Sequence, residues 1–369
     1  MSIYENEIYL KNIKEVADLD IDWKQLKNSN FMITGATGLI GKFLVDTILY
    51  LDETKKLNCH IIAIGRNKEK AKSRFSKYFD SKNFEFVELD INDKIEYSGK
   101  VDYILHAASS THPLQYSNYP ITTITTNVIA LNNLLKFGYE KKIKRFIFAS
   151  SVEIYGQNKG DVDYFDEKYL GYIDCNTLRA GYPESKRVGE ALCQAYIKEK
   201  EMNIVIPRLS RTFGPTLLDS DTKALSQFIR NGVNKENIVL KSEGNQLFSY
   251  TYVTDAVKGI LYTLFYGENG EAYNVSDPKF DITLRDLAKN IASIVGTEVI
   301  FDLPSEEERK GYSTATKAIM DGSKIKELGF SVDSDFKTRL EETIEVLRSI
   351  WYFFFVLIKN TLFYNDNVL

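Results

Sequence analysis

Cysteine is scarce in this chain, with three in 369 residues. They stand at 59, 175 and 193 and show no metal-ligand spacing. That excludes a disulfide framework and a cysteine-built metal centre, and predicts free, buried thiols in a reducing cytosol. A surplus of one charge is missing too. Lys and Arg number 47 against 51 Asp and Glu, a formal net charge of -4, so nothing draws the chain toward nucleic acid or anionic lipid. Long apolar runs are absent. The longest, IWYFFFVLI from Ile350 to Ile358, breaks at Lys359-Asn360. It falls short of the roughly 20 apolar residues that a membrane-spanning helix needs. Packing on the protein or on a second subunit is expected for it, with weak membrane attachment as the alternative. The first thirty residues are polar and amphipathic, so no secretory leader is expected and a cytoplasmic location is. No repeat or low-complexity linker interrupts the chain.

What is present is an alternation of short apolar runs with helical patterns. Phe31-Met32-Ile33-Thr34, His60 to Ile64, Phe84 to Leu89, Tyr103 to Leu105, Phe146-Ile147-Phe148-Ala149 and Ile204-Val205-Ile206 read as strands. Between them, Leu39, Ile40, Phe43, Leu44 and Ile48 recur at helical spacing, as do Val128, Leu131, Leu134 and Leu135. Continuous apolar strands separated by helices predict an α/β fold, a Rossmann-type doubly wound parallel sheet covered on both faces. After Pro207 the pattern turns irregular, which predicts a smaller C-terminal lobe over the sheet's carboxyl edge, where such sheets bind ligands. The expected divisions are an N-terminal extension (1–24), a dinucleotide-binding domain (25–207), a substrate-binding lobe (208–349) and an apolar tail (350–369).

The first strand runs into Thr34-Gly35-Ala36-Thr37-Gly38-Leu39-Ile40-Gly41. Gly35 permits a tight turn, Gly38 lets backbone approach a pyrophosphate, and Gly41 lets helix meet sheet. The helix that follows offers free N–H groups and a positive dipole end to phosphate. Lying between a strand and an amphipathic helix, the loop predicts dinucleotide binding, with Thr37, Leu39 and Ile40 among the contacts. Farther on, Tyr182-Pro183-Glu184-Ser185-Lys186 places a tyrosine and a lysine on one helix face. A free tyrosine, with a pKa near 10, is a poor base at neutral pH. A neighbouring ammonium and an oxidised nicotinamide both favour the phenolate, which can then take a proton from a substrate hydroxyl.

The G-x-x-G-x-x-G spacing together with Y-x-x-x-K resembles the extended short-chain dehydrogenases, the NAD-dependent epimerase/dehydratase family. That family includes nucleotide-sugar 4-epimerases, 4,6-dehydratases and UDP-glucuronate decarboxylases. The resemblance runs from about residue 25 to about 345. It implies that Ala107, Ala108 and Ser109 line the cofactor after the fourth strand, that Asp90 and Ile91 meet adenine, and that Asn127, Tyr182, Lys186 and Ser210 touch the cofactor. Aligned on Tyr155-Gly156, it makes Ser151 the partner of the reacting oxygen. It gives Glu153 the place where dehydratases and some decarboxylases carry a glutamate that acts at C5. The bland alternatives for Glu153 are a structural carboxylate or a substrate-hydroxyl acceptor. Val152 departs from dehydratases that have aspartate there.

Other departures bear on cofactor and substrate. NAD-preferring relatives end the second strand with an acid, whereas this chain has Gly65 followed by Arg66. An arginine there can pair with a 2′-phosphate, which leans the choice between NAD and NADP toward NADP; stacking on adenine is the alternative. In the smaller lobe, Arg211 replaces an asparagine that meets the nucleotide's phosphates. Phe248 replaces an arginine that clamps the diphosphate. Arg211 is therefore expected to grip the substrate, with Thr111, Gln246 and Phe248 around it. Thr254 or Asp255 reads as a helix cap, and His112 as packing.

The function expected is transient oxidation of a nucleotide-linked sugar at C4, ending in epimerisation, dehydration or decarboxylation. The alternatives are an NADP-dependent reductase or dehydrogenase of a nucleotide-linked sugar or sugar phosphate, and a non-catalytic cofactor-binding regulator. No metal is implied. The resemblance also implies a homodimer through a four-helix bundle, built from the Asn127–Gly138 and Tyr182–Tyr196 helices with Val128, Val188 and Leu192 shared between subunits.

Overall fold

A computed structural model describes residues 2–109, 118–303 and 315–365, with side chains described as far as residue 350. The apolar run therefore lies almost wholly outside the described side chains, and Thr111 and His112 lie outside the described residues.

The chain as far as Leu209 lays down seven strands. These are β1 (Asn30–Thr34), β2 (His60–Gly65), β3 (Phe84–Glu88), β4 (Tyr103–His106), β5 (Arg145–Phe148), the short β6 (Ser150–Ser151) and β7 (Ile204–Leu209). The smaller lobe adds β8 (Arg211–Phe213), β9 (Ile238–Leu240) and β10 (Leu247–Tyr252) before β11 (Ala272–Val275) returns to the main sheet. That sheet has eight strands in the order β11-β7-β5-β4-β1-β2-β3, with β6 paired on β7. Every pairing in it is parallel. Strand order reverses between β1 and β4, the crevice where a doubly wound sheet takes its ligand.

The strands carry apolar side chains on both faces, and the two faces feed different cores. Met32, Ile62, Ile104, Phe146 and Ile204 pack on one side with Leu131, Leu134 and Leu135 of a long helix. Ile33, Ile61, Leu105, Ile147 and Val205 pack on the other. This period-two division explains why the strands read as unbroken apolar runs. The helices are α1 (Glu7–Ala17), α2 (Leu39–Lys55), α3 (Lys68–Arg74), α4 (Pro120–Lys141), α5 (Gly181–Lys200), α6 (Ala224–Asn234) and α7 (Val253–Tyr266). Beyond them come α8 (Leu284–Val295), the short α9 (Ser323–Lys326) and α10 (Phe336–Asn365). No helix among the described residues is long and apolar enough to cross a membrane.

Three local expectations change. The chain does not part cleanly after Pro207, because β11 pairs with β7 and α7 packs on the same sheet. Neither Thr254 nor Asp255 caps α7. Tyr252 holds that position without a side-chain bond, and both residues are buried in the first turn. Asp255 instead faces Lys258, 3.4 Å away on the next turn. Of the three cysteines, all free, Cys59 and Cys193 are buried but Cys175 is exposed.

The N-terminal extension is tied in by charge as well as by apolar contact. Tyr9, Ile13 and Val16 of α1 are buried. Glu15 accepts two bonds of 2.7 Å from Arg339 of α10, whose other arm donates to Glu342 at 2.8 Å. Removing either acid would leave a buried guanidinium charge uncompensated.

Candidate active site

The glycine loop has the form its spacing predicts. Gly35 sits at φ 71°, and a β-carbon there would lie 2.7 Å from the backbone of Ala107 and Ala108. The two backbones touch because neither carries bulk. At Gly41 a β-carbon would come within 2.3 Å of the Gly35 carbonyl, so only glycine lets α2 start this close to the loop. Gly38 is the N-cap of α2 and supplies no side-chain cap, which leaves the first N–H groups of the helix for a ligand. Thr37, Leu39 and Ile40 are half-buried around it.

Across the crevice, three consecutive residues are fastened to three successive turns of α5. Lys186 Nζ donates to the Ala149 carbonyl at 2.7 Å. Ser150 Oγ donates to Glu190 at 2.6 Å. Ser151 is hydrogen-bonded to Tyr182. Tyr182, Lys186 and Glu190 are four apart, so they form one stripe along the helix. The helix can lie this near the sheet because Gly189 has no side chain, and a β-carbon there would meet the Phe148 ring at 2.6 Å. Arg208 on β7 closes the back of the stripe, gripping Glu190 at 3.0 and 2.6 Å and Tyr155 at 2.9 Å.

Electrostatics follow from burial. The Tyr182 phenol is pushed up to about 12, chiefly by desolvation and further by the Glu153 charge, while hydrogen bonds from Ser151 and Ser109 pull it back. Burial brings the Lys186 ammonium down to about 8, opposed by the carboxylate of Glu190. His106, stacked on Phe148, falls to about 3 through burial and the nearby Lys186 charge. Its Nδ1 shares a hydrogen with Thr34 at 2.8 Å, and its buried Nε2 has no partner among the described residues.

Ser109 and Asn127 stand directly behind the tyrosine. Ser109 donates to Asn127 at 2.7 Å, Asn127 donates to Ser185 at 2.8 Å, and Ser185 returns to the Tyr182 carbonyl at 2.8 Å. The ring of bonds fixes Tyr182 at both ends. Residue spacing pointed to Tyr182 and Lys186, and the family resemblance to Ser151, but neither pointed to the roles of Glu190 and Arg208. The available signal for Glu190 was an acid four residues beyond Lys186 on the same face.

The predicted substrate residues are only partly brought together. Arg211 and Glu153 form an ion pair at 3.3 Å. The guanidinium carbon of Arg211 lies 3.8 Å from the centre of the Phe248 ring. Gln246 accepts from Ser242 at 3.3 Å in its own turn, and Ser210, expected at the cofactor, is hydrogen-bonded to Thr251 at 2.6 Å. At the far end of the crevice Arg66 and Asp90 pair at 3.8 Å, with Ile91 buried beside them. Among the described residues no group of acids, histidines and cysteines could hold a metal.

The NAD dependent epimerase/dehydratase family matches residues 31–276. UDP-glucuronic acid decarboxylase 2 of Arabidopsis thaliana is 28% identical over 270 residues, 73% of this chain and 58% of that protein. UDP-glucuronic acid decarboxylase 6 of the same plant is 27% identical over 322 residues, 85% and 90% of the two lengths. The chain thus spans little more than half of the first relative and most of the second. A UDP-glucose 4-epimerase from Thermotoga maritima, solved with UDP-glucose, has the same fold, with a TM-score of 0.75 at 22% identity over 87% of this chain and 99% of that one.

Proposed function

The chain belongs to the NAD dependent epimerase/dehydratase family, and from that premise we propose that it oxidises a nucleotide-linked sugar transiently at C4 and then acts at C5. The observation that supports this most is the stripe of Tyr182, Lys186 and Glu190 fastened to residues 149–151, with Glu153 two residues farther along.

The crevice fits a dinucleotide, since Gly35 and Gly41 let the loop and α2 close against the sheet and Gly38 caps the helix without a side chain over its free N–H groups. Gly35, Gly38 and Gly41 would hold its pyrophosphate, Asp90 and Ile91 its adenine, and Lys186 and Tyr182 its nicotinamide end. Bound there, oxidised NAD supplies a reversible two-electron acceptor for a sugar carbinol. NADP acceptance rests on Arg66, whose side chain is 69% exposed and held only by the 3.8 Å pair with Asp90. With Gly65 where relatives carry an acid, that guanidinium would pair with a 2′-phosphate.

Tyr182 takes the C4 hydroxyl proton, with Ser151 holding the same oxygen. The Lys186 ammonium favours the phenolate that this requires. The resulting ketone acidifies the C5 hydrogen, and Glu153 is the carboxylate at hand to receive it. Dehydration then expels the C6 hydroxyl with a proton as water, and the electrons return at C6 as a proton returns to C5; return at C4 on the opposite face, with no step at C5, would give epimerisation instead. Decarboxylation is a second reading, favoured by the position of Arg211 beside Glu153. A carboxylate borne on C5 would meet that guanidinium. With C4 a ketone, such a carboxylate is β to a carbonyl. The C5–C6 bond can then break to release carbon dioxide, its electron pair passing into an enolate that takes a proton at C5.

Mass spectrometry of products from UDP-glucose and UDP-glucuronate tests the proposal. A closed redox cycle gives an isomer, a dehydrated sugar or a decarboxylated one without net cofactor reduction. A product short of two hydrogens, with free reduced nicotinamide in equal amount, contradicts it and favours a simple dehydrogenase. A homodimer is part of the same proposal, supported by the apolar side chains that α4 and α5 expose. Ile121 is 77% exposed and Val188 47%. The three unpaired thiols suit a reducing cytoplasm.

A further inference from the structure

Arg211 makes an unusual set of contacts for a guanidinium at a site mouth. β8 pairs with β10 in parallel, with Tyr250 opposite Arg211, so Phe248 lies on the same face as Tyr250 two residues upstream. The guanidinium lies over that ring, its central carbon 3.8 Å from the ring centre. The cation is held on the ring face while its nitrogens stay available for hydrogen bonds. One nitrogen, Nη2, donates to Glu153 at 3.3 Å, a single long bond. The other, Nη1, is buried and has no partner among the described residues. Glu153 is therefore engaged yet supplies only half of what the fork can bind. Its own side chain is 47% exposed and can turn to solvent once released.

We propose that Arg211 is a substrate-operated latch on Glu153. A pair of anionic oxygens on the nucleotide sugar takes the stacked guanidinium, satisfies Nη1 and Nη2 together, and frees Glu153 for the sugar only when the site is loaded. This rests on the reading of the site given above. The recognised chemistry is a diphosphate or a ring carboxylate, since either presents two oxygens at the spacing of the fork. A neutral hydroxyl would leave the guanidinium charge uncompensated once Glu153 departs, and no other acid pairs with Arg211 among the described residues. The device keeps the carboxylate engaged in the empty cleft and places it beside the sugar when needed.

The test is calorimetric titration of the full chain with UDP-glucuronate and with UDP-glucose. Wild type, Arg211→Gln, Glu153→Gln and the double variant are compared, with Arg211→Lys added to retain charge without the fork. Arg211→Gln is expected to weaken binding by about tenfold or more, the usual cost of losing a charge-assisted pair of bonds. Glu153→Gln is expected to tighten it by about threefold, because a half-exposed ion pair no longer competes. That gain should vanish when Arg211 is also glutamine. Arg211→Lys should fall between wild type and Arg211→Gln, and it carries the test if the glutamine variant does not fold. A loss confined to UDP-glucuronate identifies the carboxylate as the latch's ligand, and an equal loss with both identifies the diphosphate. Unchanged affinity in Arg211→Gln, or the same gain from Glu153→Gln in both backgrounds, overturns the latch and leaves the nucleotide-sugar reading standing. Failure of the wild-type chain to bind either compound overturns both.

Discussion

Ser150 donates its hydroxyl hydrogen to Glu190 at 2.6 Å, and that bond joins the strand bearing Ser151 to the helix bearing Tyr182 and Lys186. Glu190 is also the acid facing the Lys186 ammonium. It is thus a positioning residue with an electrostatic consequence. Cys193 on the same helix and His106 on β4 are the other titratable groups acting on Lys186, and Arg208 holds Glu190 from behind.

Glu190→Gln preserves shape but removes the charge that favours the Lys186 cation. The lysine should then lose its proton at lower pH, and the alkaline limb of the pH–kcat profile should move down with it. A misplacement of the Ser151 segment adds a loss of kcat of roughly tenfold to a hundredfold, with KM less affected. A pH profile that does not move would show the residue to be purely structural.

Tyr182→Phe deletes the proton acceptor while leaving the ring packed. Turnover should fall by a factor of roughly 10²–10⁴, as when a general base is lost. Dinucleotide affinity, measured by fluorescence titration, should stay near that of wild type. Near-normal turnover would require another base.

His106 makes the fold acid-sensitive. Its pKa is about 3 in the native state, far below the unfolded reference near 6.5, because the buried ring beside Lys186 resists protonation. Below that reference value the unfolded chain binds a proton that the native chain refuses, so stability drops as pH falls from about 6.5 toward 3. At about pH 4 the loss is roughly 3 kcal/mol. His106→Gln should be less stable near neutrality yet lose less on acidification, as read from urea unfolding at the two pH values. Parallel losses in the two proteins would count against this assignment.

The exposed apolar residues on α4 and α5 predict association. Sedimentation velocity at micromolar concentration should give a dimer, and Val188→Glu should shift it toward monomer. A wild-type monomer would remove this part of the account.

The sequence carried the parts of the site that local geometry controls. Gly35, Gly38 and Gly41 are legible because a turn and two backbone contacts admit no side chain. Tyr182 and Lys186 are legible because helical spacing puts them on one face. Contacts made across the fold were not. Nothing near Ser109 announces that it reaches Tyr182, and Arg208 meets Glu190 only because β7 lies against β6 and α5. Arg211 was legible as a replacement, but its contacts were not, since the Phe248 ring reaches it only because β8 and β10 lie side by side. Thr254 and Asp255 have the composition of a cap, yet the chain enters α7 directly from β10, so the cap falls on Tyr252, two residues before Thr254.

The central claim is that Glu153 exchanges the C5 hydrogen of a sugar already oxidised at C4. Solvent deuterium incorporation, followed by nuclear magnetic resonance on a turning-over nucleotide sugar in heavy water, reports that event directly. The account predicts deuterium at C5 with the native chain. With Glu153→Gln it predicts none at C5, while reduced nicotinamide accumulates because the first step still runs. Full activity in Glu153→Gln, with no C5 exchange by the native chain, would contradict the claim and leave epimerisation at C4 or simple redox chemistry as the function.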